Sequence, residues 1–232
     1  AEFRSLVSDN AQIEATANYS KAFVDSGSSL GLNATFNRAD SRSLSGLDTV
    51  LLTDMGGNSA LRTLGPDNPL ERRSRSYTYS SSGSYNRPLG QWQLTATADG
   101  TVTDTQTEID RRADVSGLIT DAAAGNLAIT GALPDLPDAG FDIADRKTYT
   151  AETKLSLRGK PILLPAGEVS TTFDVDYKWN RIESSDTRAA LSTRLTRGNL
   201  SGRVNVSVPI TSTRDDVLAA IGSITLNGQF GI

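Results

Sequence analysis

Polar and apolar residues alternate strictly over several long stretches, which marks β-strands with two unlike faces. The clearest runs from 169 to 180. Val169, Thr171, Phe173, Val175, Tyr177 and Trp179 share one face, and Ser170, Thr172, Asp174, Asp176, Lys178 and Asn180 the other. The same period sets Leu200, Gly202, Val204, Val206, Val208 and Ile210 against Ser201, Arg203, Asn205 and Ser207, with Pro209 tolerable only near a strand end. It also sets Trp92, Leu94, Ala96 and Ala98 against Gln91, Gln93, Thr95 and Thr97. Weaker alternation covers 13–23, 30–39, 75–86, 149–158, 189–197 and 224–232. These stretches predict about nine strands of about ten to thirteen residues, long for soluble strands and close to the span of a tilted membrane strand.

Turn-rich segments divide the strands. Short reversals are expected at Asp25-Ser26-Gly27, Arg87-Pro88-Leu89-Gly90, 160–167 and Gly198-Asn199. Long connections are expected at 41–73 and 110–147, the second with a helix near 115–127. Short turns at one end and long loops at the other are the rhythm of a bacterial outer-membrane barrel, although the connection at 184–187 is brief for the long-loop end. With that polarity, Phe36, Tyr77, Tyr79, Tyr149, Tyr177 and Trp179 fall near the outer ends of their strands, and Tyr19, Phe23 and Trp92 near the inner ends. That is the sorting of two interfacial aromatic belts.

Composition agrees with a chain that has little core to fill. Only 37% of its 232 residues are apolar and 6% aromatic. Disorder is excluded by the ordered alternation and by a net charge of only −4. No run of eighteen apolar residues exists to form a membrane helix, a fact that says nothing against a barrel. Mild acidity without a basic cluster argues against nucleic acid. No signal-peptide pattern precedes the first strand.

The chain has no cysteine and no histidine, which removes disulfides, thiolate sites, a Ser-His-Asp triad and a His-ligated zinc. The expectation is therefore a protein that is not an enzyme and carries no cofactor. Asp174, Asp176, Lys178 and Arg203 read as a solvated, ligand- or lumen-facing wall rather than an acid and base pair. Asp99-Gly100-Thr101 and Asp215-Asp216 lack calcium-loop spacing, and Gly56-Gly57-Asn58 is too short for a phosphate cradle. Arg72, Arg73 and Arg75 form a basic run that could meet the phosphates of lipopolysaccharide. Trp92 and Trp179 read as belt residues before they read as sugar-stacking platforms.

Four segments carry a family resemblance: Phe3-Arg4-Ser5-Leu6, Asp40-Ser41-Arg42-Ser43-Leu44-Ser45-Gly46-Leu47, Asn86-Arg87-Pro88-Leu89-Gly90-Gln91-Trp92-Gln93-Leu94 and Ile109-Asp110-Arg111-Arg112-Ala113-Asp114. Together they resemble the barrel of TonB-dependent receptors of the sphingomonad type, over nearly the whole chain. The resemblance implies a 22-stranded barrel, plugged by an N-terminal domain, that imports a scarce ligand with energy from the inner-membrane TonB complex. No plug-like or TonB-contacting segment is read in 1–232, and Ile232 stands where a barrel of this kind ends in an aromatic residue. The chain is thus expected to be all-β, an antiparallel transmembrane barrel segment in the bacterial outer membrane, about two fifths of the whole. Its partners would be membrane lipid, lipopolysaccharide and an unidentified ligand. A surface adhesin or secreted β-sandwich is the competing expectation, and a non-specific porin a weaker one.

Overall fold

The alternating stretches form antiparallel strands that run well past the lengths read from sequence. The structure, a computed structural model, describes residues 3–5, 7–214 and 217–232. In chain order the elements are β1 (Asp9–Phe23), β2 (Ser28–Gly46), β3 (Asp48–Thr53), β4 (Ser59–Leu64), β5 (Leu70–Leu89), β6 (Trp92–Asp110), α1 (Ser116–Ala123), β7 (Phe141–Leu164), β8 (Gly167–Asp186), β9 (Thr193–Thr211) and β10 (Ile224–Gly231). Eight of the strands make one antiparallel sheet in the order β1-β2-β5-β6-β7-β8-β9-β10, while β3 and β4 pair separately as a hairpin. The large sheet is open, with β1 and β10 as its outer strands.

Two of the expected strands are one. The expected strands 189–197 and 200–210 flank a turn at Gly198-Asn199, yet β9 begins at Thr193 and passes straight through Gly198-Asn199. Gly198 is small there for a packing reason: the Tyr177 ring lies over it, and a Cβ would meet the phenol oxygen at 3.2 Å. A glycine that receives a neighbouring ring looks, in one dimension, like a glycine that reverses the chain. The merger replaces the nine expected strands of the sheet by eight. It also puts the connection between β9 and β10 at the same end of the sheet as the short β1–β2, β5–β6 and β7–β8 turns.

The turn expected over 160–167 is likewise strand for most of its length. β7 continues to Leu164, with a register shift between Gly159 and Ile162. Pro161 has no N–H to give the ladder, so the bulge falls beside it. Gly90, at φ 64°, closes the short β5–β6 turn in a conformation that side chains resist.

Neither face of the large sheet is covered by another layer of the described residues. The one buried apolar cluster lies in the two long connections, at residues 47–69 and 111–140. Val50, Leu52, Leu118 and Ala122 form it, with Leu64, Val115, Leu127 and Ile129 packed around them. Leu52 and Ala122 are fully buried. The helix expected near 115–127 is α1, laid against β3. Asp48 anchors the unit, accepting from the Ala113 amide at 2.7 Å and pairing with Arg112 at 3.3 Å, and Arg62 donates to the Ile129 carbonyl at 2.7 Å.

Candidate functional site

The sheet itself is the candidate site, because its two faces differ in chemistry from strand to strand in register. One rung runs through Leu30, Tyr85, Ala96, Leu155, Val175 and Gly202. All are apolar, glycine or aromatic. Three residues further along each strand, a rung on the other face runs through Asn33, Ser82, Asp99, Glu152, Lys178 and Asn199, all polar. Cross-strand partners share a face, so the alternation seen along each strand becomes a continuous apolar band on one side and a polar field on the other.

The band has measurable limits. On β6 it extends from Trp92 to Val102 and on β8 from Val169 to Trp179. Each interval is about 33 Å along the strand at about 3.3 Å per residue. The band also slants. Leu30 is its last apolar residue at the short-turn end of β2, but on β9 the same rung reaches Gly202, with Val204, Val206 and Val208 still to come. A slide of about six residues across five strand-to-strand steps corresponds to a strand tilt of about 40°. At that tilt the band is about 25 Å tall.

Aromatic rings stand at its margins. Phe36 lies 5.1 Å from Tyr79 and 6.4 Å from Tyr77, ring centre to ring centre, at the long-loop margin. Tyr149, Tyr177 and Trp179 continue that margin on β7 and β8. Trp92 holds the short-turn margin, 5.9 Å from Phe173. The ring of Trp92 also covers Gly159, where a Cβ would meet it at 2.4 Å. Arg38 sits over Tyr77 at 5.7 Å and Arg181 over Tyr149 at 5.9 Å, the point where the face turns from apolar to charged.

Beyond that margin, on the band's own face, carboxylates each join two arginines. Asp40 takes Arg38 and Arg75, both at 2.7 Å. Glu71, only 9% exposed, takes Arg73 at 2.6 Å and Arg42 through a second bond at 2.9 Å. Glu183 takes Arg181 and, at 3.4 Å, Arg194. Hydrogen bonds from Arg73 and Arg42 hold the Glu71 carboxyl well below its ordinary range, at about 2. Sequence reasoning passed over these triads. Their signal was an opposite charge two residues away on one strand, Arg38 and Asp40, Glu71 and Arg73, Arg181 and Glu183, which strand geometry puts side by side.

The arginine run separates on folding. Arg73 and Arg75 point to the band side and are already paired to Glu71 and Asp40, whereas Arg72 belongs to the polar side with Ser74. The three do not make one anion site, because adjacent strand residues face opposite ways.

The polar field holds the other predicted group intact. Asp174 stands across from Arg203, Asp176 accepts from Ser201 at 2.8 Å, and Lys178 pairs with Glu152 at 3.0 Å. Between β5 and β6 the field is a ladder of hydroxyls: Ser76 with Thr105 at 3.0 Å, Thr78 with Thr103 at 3.3 Å, Ser80 with Thr101 at 3.2 Å. Trp92 and Trp179 lie on the opposite face, so they supply this field with no stacking surface. Asp99 stands in the rung between Ser82 and Glu152, a strand position rather than a loop ligand. Asp215 and Asp216 lie outside the described residues. Among the described residues no group of three or more metal-ligating side chains converges. The chain matches no family model, no curated protein and no solved structure. The faces must therefore speak for themselves.

Proposed function

We propose that this chain is part of the wall of a bacterial outer-membrane β-barrel, with the apolar band against lipid and the polar field against water. The carrying observation is the band: about 25 Å tall, slanted as tilted strands require, edged with aromatic rings and covered by no other layer. A sheet in water with that much uncovered apolar surface would be expected to pair with a second layer. A β-sandwich adhesin needs such a layer, so the membrane reading accounts for more of the surface.

Within that reading the chain serves an importer of the TonB-dependent kind, as its sequence resemblance implies. The long connections meet the incoming ligand, and Asp174, Asp176, Lys178 and Arg203 line its watery route. The triads occupy the lipid headgroup layer and meet lipopolysaccharide there. Energy from the inner-membrane TonB complex acts on a plug and not on the wall itself.

Brominated lipids test the placement. The chain, folded into phosphatidylcholine vesicles, should show quenching of Trp92 and Trp179 that is strongest for bromines near the headgroup and weaker for those at the bilayer centre. It should also migrate differently on a gel before and after boiling. A water-soluble, monodisperse chain without detergent, its tryptophans unquenched, is the outcome that removes the reading.

A further inference from the structure

Two charges of the polar field stand unpaired at opposite ends of one hollow. Asp99 on β6 and Arg197 on β9 are exposed, and neither side chain makes a hydrogen bond or an ion pair among the described residues. The hollow between them, 420 Å³ in volume, crosses β7 and β8. Its floor is the ion pair of Lys178 with Glu152 at 3.0 Å, two charges that answer each other. Thr150, Asn180 and Asn199 also line it, and their side chains are likewise without a hydrogen bond among the described residues.

Register fixes the span. Asp99 shares a rung with Glu152, Lys178 and Asn199, and the next rung on the same face runs through Thr101, Thr150, Asn180 and Arg197. Asp99 and Arg197 are therefore three strand steps and one rung apart, about 16 Å between backbones at about 4.8 Å per step and about 3.3 Å per residue. A contact of about 3 Å at either end leaves about 10 Å for whatever lies between.

We infer that this hollow binds a short zwitterionic peptide of about three residues, its ammonium on Asp99 and its terminal carboxylate on Arg197. The charges of Asp99, Glu152, Lys178 and Arg197 sum to zero, so a simple anion or cation finds no net attraction. Opposite charges held apart on one ligand each meet their complement. An extended chain of three residues covers about 10 Å. Asn180 and Asn199 each offer a donor and an acceptor, as the peptide units between the two ends do. Trp179 turns its ring to the other face, so a sugar or nucleobase has no platform to stack on. Among the described residues no three ligating side chains converge for a metal. The inference rests on the reading of the polar face as the wet route of an imported ligand, and names the chemistry of that ligand.

The test is a calorimetric titration of tri-alanine into the full chain in non-ionic detergent, with protein-free micelles as the blank. Acetylating its amine or amidating its carboxyl should each weaken binding about fivefold, and blocking both should weaken it further. Each variant should be blind to one block. Asp99→Asn should bind free and acetylated tri-alanine alike while still rejecting the amide, and Arg197→Gln should do the opposite. A merely structural role for either residue would lower every affinity together. Circular dichroism checks that both variants remain folded, since both positions are exposed. No binding of tri-alanine, equal binding of the doubly blocked peptide, or variants that still sense the block at their own end overturns the inference. Quenching by brominated lipid is read separately. Quenched tryptophans without peptide binding remove this site and leave the membrane wall, and peptide binding with unquenched tryptophans keeps the site and removes the wall.

Discussion

Replacing Val175 by arginine decides whether the band meets lipid or water. Val175 lies near the middle of the band on β8, between Leu155 and Gly202, and is 47% exposed with no layer above it. In water such a site tolerates a long charged side chain, and the change in stability stays within about 0.5 kcal/mol. At a bilayer midplane the guanidinium would have to leave its hydration, at a penalty of about 2 to 4 kcal/mol. A control on the other face separates depth from strand propensity. Ser82→Arg lies beside Asp99 in the polar field, where a new arginine gains an opposite charge, and should shift stability by less than about 1 kcal/mol. Both variants are read by urea unfolding of vesicle-folded protein, followed through the fluorescence of the two tryptophans, Trp92 and Trp179. If Val175→Arg unfolds with wild-type stability, the band is not in hydrocarbon and the slant has some other origin. If both variants are equally damaging, the faces have been distinguished wrongly.

Three further changes probe the parts around the band. Glu71→Gln removes a carboxylate whose folded pKa is depressed from 4.5 to about 2. A depressed carboxylate contributes stability above its unfolded pKa, so the wild type should exceed the variant by about 1 to 2 kcal/mol at neutral pH, after discounting for its two half-exposed arginines. Urea midpoints should converge as pH falls from about 4.5 toward 2, and a constant gap across that window refutes the linkage. Gly159→Val drives a side chain into the ring of Trp92 and should cost about 1 to 3 kcal/mol while shifting tryptophan emission; an unmoved spectrum contradicts the packing. Leu52→Ala empties the core of the loop unit, worth about 2 to 4 kcal/mol there, so protease should cut within 47–69 while the emission of Trp92 and Trp179 holds.

What could be read from the sequence was whatever repeats with a period of two. Residues 169–180 gave both faces of β8 correctly, and Asp174, Asp176 and Lys178 stayed together because a strand keeps alternate residues on one side. Positions that depend on a neighbouring strand were hidden. Gly198 looked like a turn because nothing local reveals that Tyr177, across the ladder, needs the space above it. Arg72, Arg73 and Arg75 lie close along the chain, and in a strand that closeness is what puts Arg72 on the face opposite the other two. The two long connections carried apolar residues without a clear period, so their joint core of Leu52 and Leu118, drawn from segments far apart in sequence, left no local trace.

The pairing pattern also bears on where recognition resides. On the sheet some charges are answered within it, Asp40 by two arginines, Glu71 by two more, Lys178 by Glu152 and Asp176 by Ser201, whereas Asp99, Lys154, Arg158, Asp174, Arg197 and Arg203 have no ion pair among the described residues. The hydroxyls of β5 and β6 are bonded to each other. At the paired positions a ligand must displace a formed bond for each one it makes, so the net gain per contact there is small. In the loop unit Asp54, Asp114 and Asp138 likewise accept bonds from Asn58, Ser116 and Gly140. Under the importer reading proposed above, substitutions at the unpaired Asp174 and Arg203 should therefore lower ligand affinity more than substitutions at the paired Glu152 and Lys178, a difference that a binding titration reads.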